Sequence, residues 1–158
     1  NNIMIFITLG TSDFIILALM TFFMIQKKKQ YHNIPLLIFI LLIVLIIDYI
    51  IKYLTARPRP FVQKLVVENY YSFPSNHAGM TFAALPLFLR EFKKIGYIWF
   101  GISILIAFSR VYVGVHYLSD VIGGALIGYT LGFVLIETEK KYNIIERIRI
   151  KHFMKKSL

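Results

Sequence analysis

Apolar positions fall in five long blocks separated by short polar or basic stretches. The blocks run over Ile3–Ile25, Ile34–Leu54, His77–Leu89, Ile95–Val113 and Tyr117–Ile136. None alternates with the period of two that a half-buried strand needs. Most match the roughly 20 apolar residues that carry a helix across a bilayer. The third is short. It is expected to begin below the membrane surface, or to extend past Arg90 with that side chain snorkelling to the interface. In the last block Gly124, Gly128 and Gly132 recur every fourth residue. This stripe of small residues suits close contact with another helix. The pattern therefore predicts an all-α integral membrane bundle of about five transmembrane helices. Two regions follow: a transmembrane domain over residues 1–136, and a tail over 137–158 that alternates charge with Ile and Phe as a surface amphipathic helix does.

Composition agrees. The chain is 58% hydrophobic with a mean hydropathy of +0.67, above the roughly 45–50% of soluble domains. It contains no cysteine, so disulfide and thiolate chemistry are excluded.

The net charge of +10 is placed unevenly. Most of the Lys and Arg residues lie at Lys27–Lys29, at Arg90–Lys94 and in the tail from Lys140. Five alternating helices put all three clusters on one side, which the positive-inside rule makes the cytoplasm. Tail residues such as Lys155 and Lys156 then face anionic lipids. Nucleic acid is not expected as a partner. The other five cations, Lys52, Arg57, Arg59, Lys64 and Arg110, converge on the outer face, where cations are normally sparse.

Three stretches at that face carry chemistry. In "KYLTARPRP", Pro58 and Pro60 end the second helix. They let Arg59 return toward Lys52, an arrangement suited to a phosphate. Asp48 stands four residues before Lys52 on the same helix face. A basic stop-transfer flank explains the same residues more simply. In "FPSNHAGM", Ser75 or Asn76 can cap the incoming helix, whose free N–H groups favour an anion. His77 stands in that first turn, unless it is incidental to an ordinary cap. In "SRVYVGVHYLSD", His116 and Asp120 are four apart on one helix face. The aspartate can accept the proton of one ring nitrogen and leave the other nitrogen's lone pair to attack. Gly114 lets the chain turn, so that Arg110 faces the same place. His77, His116 and Asp120 would also suit zinc, but the surrounding cations favour an anion.

The spacing K-x6-R-P, then P-S-x-H, then S-R-x5-H-x3-D resembles that of the type 2 phosphatidic acid phosphatase superfamily. Lys52, Arg59 and Pro60 fill the first part, Pro74, Ser75 and His77 the second, and Ser109, Arg110, His116 and Asp120 the third. The resemblance implies a membrane phosphatase that forms a phosphohistidine on His116. Asp120 would orient that ring, and His77 would protonate the leaving oxygen and then activate water. Lys52, Arg59, Ser75 and Arg110 would bind the phosphate. It implies no metal and no cofactor. The family's substrates include undecaprenyl diphosphate, phosphatidylglycerol phosphate, phosphatidate and lipid A 1-phosphate. A lipid phosphotransferase using the same site, and a non-catalytic lipid-phosphate binding or transport protein, are the competing readings. Two features depart from the pattern. Asn76 replaces the usual glycine of the middle motif. The first motif also follows the second span instead of the third, so one N-terminal helix of the family's six-helix core is expected to be missing. The mechanism requires a neutral His116, whereas Asp120 alone would raise its basicity.

Overall fold

The computed structural model describes Phe22, residues 33–60 and residues 71–142. Apart from Phe22 the first expected span lies outside these, as do Lys64 and the tail beyond Tyr142. Among the described residues four helices follow in order: α1 (Ile34–Thr55), α2 (Asn76–Glu91), α3 (Lys93–Tyr112) and α4 (Leu118–Tyr142). No strand occurs among the described residues. Helices α1, α3 and α4 are long and apolar enough to cross a membrane. The fold is therefore an all-helical membrane bundle.

Helix α1 begins after Asn33 with Pro35 in its first turn, where a missing N–H costs nothing. Leu37, Ile40, Leu41, Val44, Asp48 and Lys52 form its buried stripe. Ile38, Phe39, Leu42, Ile46 and Ile50 are exposed. Apolar residues on an outward face are what lipid contact requires. The helix stops at Ala56, which is left-handed at φ 44° and returns its N–H to the Lys52 carbonyl at 2.9 Å. Pro58 then prevents any continuation.

Helix α2 is the short block, and it lies innermost. Its 16 residues span about 24 Å, less than the roughly 30 Å of a hydrocarbon core. Ala78, Ala83, Ala84, Leu85, Leu87 and Phe88 are all buried. Being enclosed by the other helices, α2 need not cross the bilayer by itself. The α2–α3 connection is the single buried residue Phe92, whose N–H bonds the Phe88 carbonyl at 2.8 Å. Trp99 stacks on Phe88 at 5.2 Å and donates its indole N–H to the Thr81 carbonyl at 2.9 Å.

The tightest packing joins α2 to α4. A methyl group on Gly124 would stand 2.5 Å from the Ser75 carbonyl oxygen. One on Gly128 would meet the Gly79 backbone, and one on Gly132 the Ala83 backbone. The expected glycine stripe is thus the seam along which two backbones touch. Helix α4 runs six residues beyond the expected end at Ile136. A helix need not end where its apolar run does: Glu137 and Lys140 pair at 3.5 Å on its continuing surface.

Candidate active site

The three motif stretches meet at one end of the bundle. The first is delivered by the C-terminus of α1. Lys52 is buried on the inward face of its last turn. Its ammonium donates to the Pro74 carbonyl at 2.5 Å and the Tyr71 carbonyl at 3.1 Å. This ties α1 to the segment leading into α2. Asp48 shares that buried face one turn away. Neither of its carboxylate oxygens has a hydrogen-bond partner among the described residues. Between the two prolines, Arg59 is buried and turned inward. One guanidinium nitrogen donates to the Val115 carbonyl at 2.7 Å and lies 3.3 Å from His116 Nε2.

The second stretch opens α2. Ser75 is the N-cap, with extended backbone angles, and Asn76 is the first helical residue. The Ser75 hydroxyl makes no capping bond, contrary to the expected cap, and is buried without a hydrogen-bond partner among the described residues. The Ser75 backbone N–H instead donates to the Asp120 carbonyl at 3.0 Å. That bond joins the head of α2 to the first turn of α4. His77 is buried in the first turn of α2. The Thr81 hydroxyl donates to its carbonyl at 2.8 Å.

The third stretch links α3 to α4. Ser109 and Arg110 are completely buried in the last turn of α3. The Ser109 hydroxyl donates to the Ile106 carbonyl at 2.7 Å. Gly114 has φ 77°, a left-handed turn that a side chain would strain. This turn allows the N–H groups of Val115 and His116 to converge on the Arg110 carbonyl, each at 3.3 Å. His116 Nδ1 lies 3.5 Å from Asp120 Oδ2, an ion-pair contact longer than a tight hydrogen bond.

These contacts set the protonation of the ring. A guanidinium can only donate, so Arg59 against Nε2 leaves that nitrogen with its lone pair. The ring proton then belongs on Nδ1, facing Asp120. Burial of His116 pulls its pKa from 6.5 down to about 4. Asp120 opposes this, while Arg110, Arg59 and Lys52 reinforce it. The basicity that Asp120 alone would confer is therefore outweighed, and the ring is neutral at neutral pH.

Sequence reasoning gave no role to Arg57. The structure sets its guanidinium 2.6 Å from Asp120 Oδ1 and 2.8 Å from the Ser119 hydroxyl. The described residues contain no group of three or more His, Asp or Glu side chains arranged to hold a metal. The donors that do converge are Lys52, Arg59 and Arg110, a set chemically suited to an anion.

Fold and site together define a membrane-embedded helical protein with a buried cluster of cations around a histidine. Residues 33–143 match the model of the PAP2 superfamily, and the chain belongs to that family of phosphatases. It is 32% identical to phosphatidylglycerophosphatase B of Bacillus subtilis, over 96% of this chain and 79% of that one. It is 30% identical to an undecaprenyl-diphosphatase of Sulfolobus acidocaldarius, over 88% of this chain and 70% of that one. The fold is similar to the crystal structure of a transmembrane PAP2-type phosphatidylglycerolphosphate phosphatase from Bacillus subtilis. There the TM-score is 0.72 at 26% identity, covering 89% of this chain and 77% of that one.

Proposed function

We propose that the protein hydrolyses a lipid phosphate or diphosphate, without a metal, through a phosphohistidine on His116. One observation carries this reading: Nε2 of a buried, neutral His116 faces Arg59 at 3.3 Å. A nucleophile and a phosphate ligand thus stand side by side. A phosphate oxygen entering between them would take the Arg59 hydrogen bond and bring phosphorus within reach of the Nε2 lone pair.

In the first step Nε2 forms a bond to phosphorus, and the bond from phosphorus to the lipid oxygen breaks. His77 gives its proton to that leaving oxygen. Asp120, facing Nδ1–H, stabilises the positive charge that develops on the ring. In the second step His77 takes a proton from water, the hydroxide attacks phosphorus, and the N–P bond breaks to release phosphate. Lys52, Arg59, Arg110 and the Ser75 hydroxyl hold the non-bridging oxygens, together with the N–H groups at the head of α2. Such positioning and charge neutralisation supply most of the catalysis in phosphoryl transfer.

The substrate is a lipid because the pocket lies at the ends of membrane helices. Acyl or prenyl chains can stay in the bilayer while the headgroup enters. The names of the relatives favour phosphatidylglycerol phosphate and undecaprenyl diphosphate. The positive-inside distribution supports a plasma-membrane protein with its site on the extracytoplasmic face.

The test is phosphate release in detergent from a panel of lipid phosphates with EDTA present. The expected result is release that EDTA does not diminish and that His116→Ala abolishes. Loss of release in EDTA, restored by a divalent cation, would overturn the metal-free reading. Appearance of a new phospholipid in place of free phosphate would make the enzyme a phosphotransferase.

A further inference from the structure

We propose that Arg57 is a positioning residue for the reaction: it holds the Asp120 carboxylate so that the second oxygen stays turned toward His116. Asp120 is completely buried, yet it sits in the first turn of a helix at the end of the bundle. Each of its oxygens has a separate set of partners. Oδ1 takes the Arg57 guanidinium at 2.6 Å. Oδ2 takes the Tyr117 backbone N–H at 2.9 Å and faces His116 Nδ1 at 3.5 Å. Without Arg57 the Tyr117 N–H is the one short bond left on the carboxylate, and the Oδ2–Nδ1 contact, the longest of the three, is less tightly fixed.

Arg57 is itself held from three sides. Its guanidinium lies over the Tyr117 ring, 4.3 Å from the centroid, and the same nitrogen that binds Asp120 also donates to the Ser119 hydroxyl. Its carbonyl accepts the Ser72 N–H at 2.9 Å and the Ser72 hydroxyl at 3.2 Å. The contact therefore locks together the chain leaving α1, the segment entering α2 and the first turn of α4. Arg57 stands two residues from Arg59, so one short extended stretch serves both ends of the imidazole. Arg59 faces Nε2 directly, and Arg57 reaches Nδ1 through Asp120.

Arg57 also acts through charge. Lys52 from α1, Arg59 from the connecting stretch, Arg110 from α3 and Asp120 from α4 are the ionisable groups that act on His116. Arg57 neutralises part of the only carboxylate among them. Removing it makes Asp120 a stronger partner for a proton on the ring, so His116 protonates at higher pH and the nucleophile is lost earlier on acidification.

The inference rests on the His116 reading above, and the test separates the two. Purified full-length wild type, Arg57→Ala, Arg57→Lys and His116→Ala are assayed against dioctanoyl phosphatidate across pH. The His116 ring is followed in parallel by 15N NMR. We expect Arg57→Ala to lower kcat about tenfold or more, to leave KM within twofold, and to move the acid limb of kcat/KM upward by about half a unit. Arg57→Lys restores most of kcat. The NMR titration of His116 moves upward by the same amount, whether or not this lipid is a substrate. A raised KM with unchanged kcat would make Arg57 a phosphate ligand. An unmoved titration and unchanged kcat would make it a surface cation. Either result overturns the proposal while an inactive His116→Ala leaves the phosphohistidine standing. Full activity in His116→Ala would instead remove the reading beneath it.

Discussion

Adding one methyl group at Gly128 tests the seam that assembles the pocket. Gly128 faces α2 so closely that a Cβ there would fall on the Gly79 carbonyl group, 2.7 Å from its carbon and 2.8 Å from the Gly79 Cα. Two carbons rest at about 3.5 Å or more. Helices α2 and α4 must therefore separate locally by at least about 0.8 Å to clear the carbons, and further to clear the still closer carbonyl oxygen, because both sides of the contact are backbone and no rotamer change relieves it. Overpacking of this kind costs about 1–3 kcal/mol, and a rigid contact belongs at the upper end. For a chain of this size about 3 kcal/mol lowers Tm by roughly 6–12 °C. The same displacement moves Ser75 and His77, at the head of α2, away from Asp120 on α4. A misplacement near 1 Å lowers turnover by up to about a hundredfold. Gly101 is the control. It lies exposed on α3 with nothing within 4 Å of a Cβ, and Gly101→Ala should leave both quantities unchanged or slightly raise Tm. The assay is thermal unfolding in detergent alongside lipid phosphate hydrolysis. If Gly128→Ala matched Gly101→Ala in Tm and kcat, the two backbones would not be in contact and the account of the pocket's assembly would be wrong.

Two further outcomes follow from the site. Between pH 6.5 and about 4 the unfolded chain binds a proton at His116 that the folded protein does not. Stability should therefore fall as pH falls through that window, by about 3 kcal/mol in all. His116→Gln should flatten the fall in Tm by that amount, and an unchanged slope would show that His116 is not held neutral. At the end of α1, Ala56 is left-handed at φ 44°, a conformation costing a side-chain-bearing residue about 1–2 kcal/mol. Ala56→Gly relieves that strain but adds freedom to the unfolded chain, so Tm should rise by a few degrees. A drop in Tm would show that the cap is not strained.

The parts of the site legible in the sequence are those that depend on short spacings. His116 and Asp120 are neighbours because helices bring positions four apart together. The prolines after Lys52 turn the chain wherever they occur, and an every-fourth glycine repeat marks a close helix contact in any bundle. Among the described helices, span lengths were legible because a bilayer sets them, with two exceptions. Helix α2 is interior, so its length is fixed by the Phe92 turn. Helix α4 continues as a helix after its apolar run ends. What the sequence left hidden depends on contacts between distant segments. Arg57 meets Asp120 across 63 residues, and nothing about Arg57 alone distinguishes an anchor from a membrane-flanking charge.

His116 shows why such contacts matter for function as well as for fold. From sequence its one evident partner was Asp120, which favours the protonated ring, the wrong state for a nucleophile. Burial and three cations reverse that preference, and those cations come from α1, from the stretch after it and from α3. The same side chains that suit a phosphate thus keep the ring unprotonated while the pocket is empty. On the mechanism proposed above, an entering phosphate offsets that charge, and the proton on Nδ1 faces Asp120 just as positive charge builds on the imidazole. In that proposal Asp120 is most useful after the N–P bond has begun to form. Anchoring it through Arg57 costs the free enzyme little, because the carboxylate is not needed to make the ring basic beforehand. Its task is to be in place, correctly turned, when the charge appears.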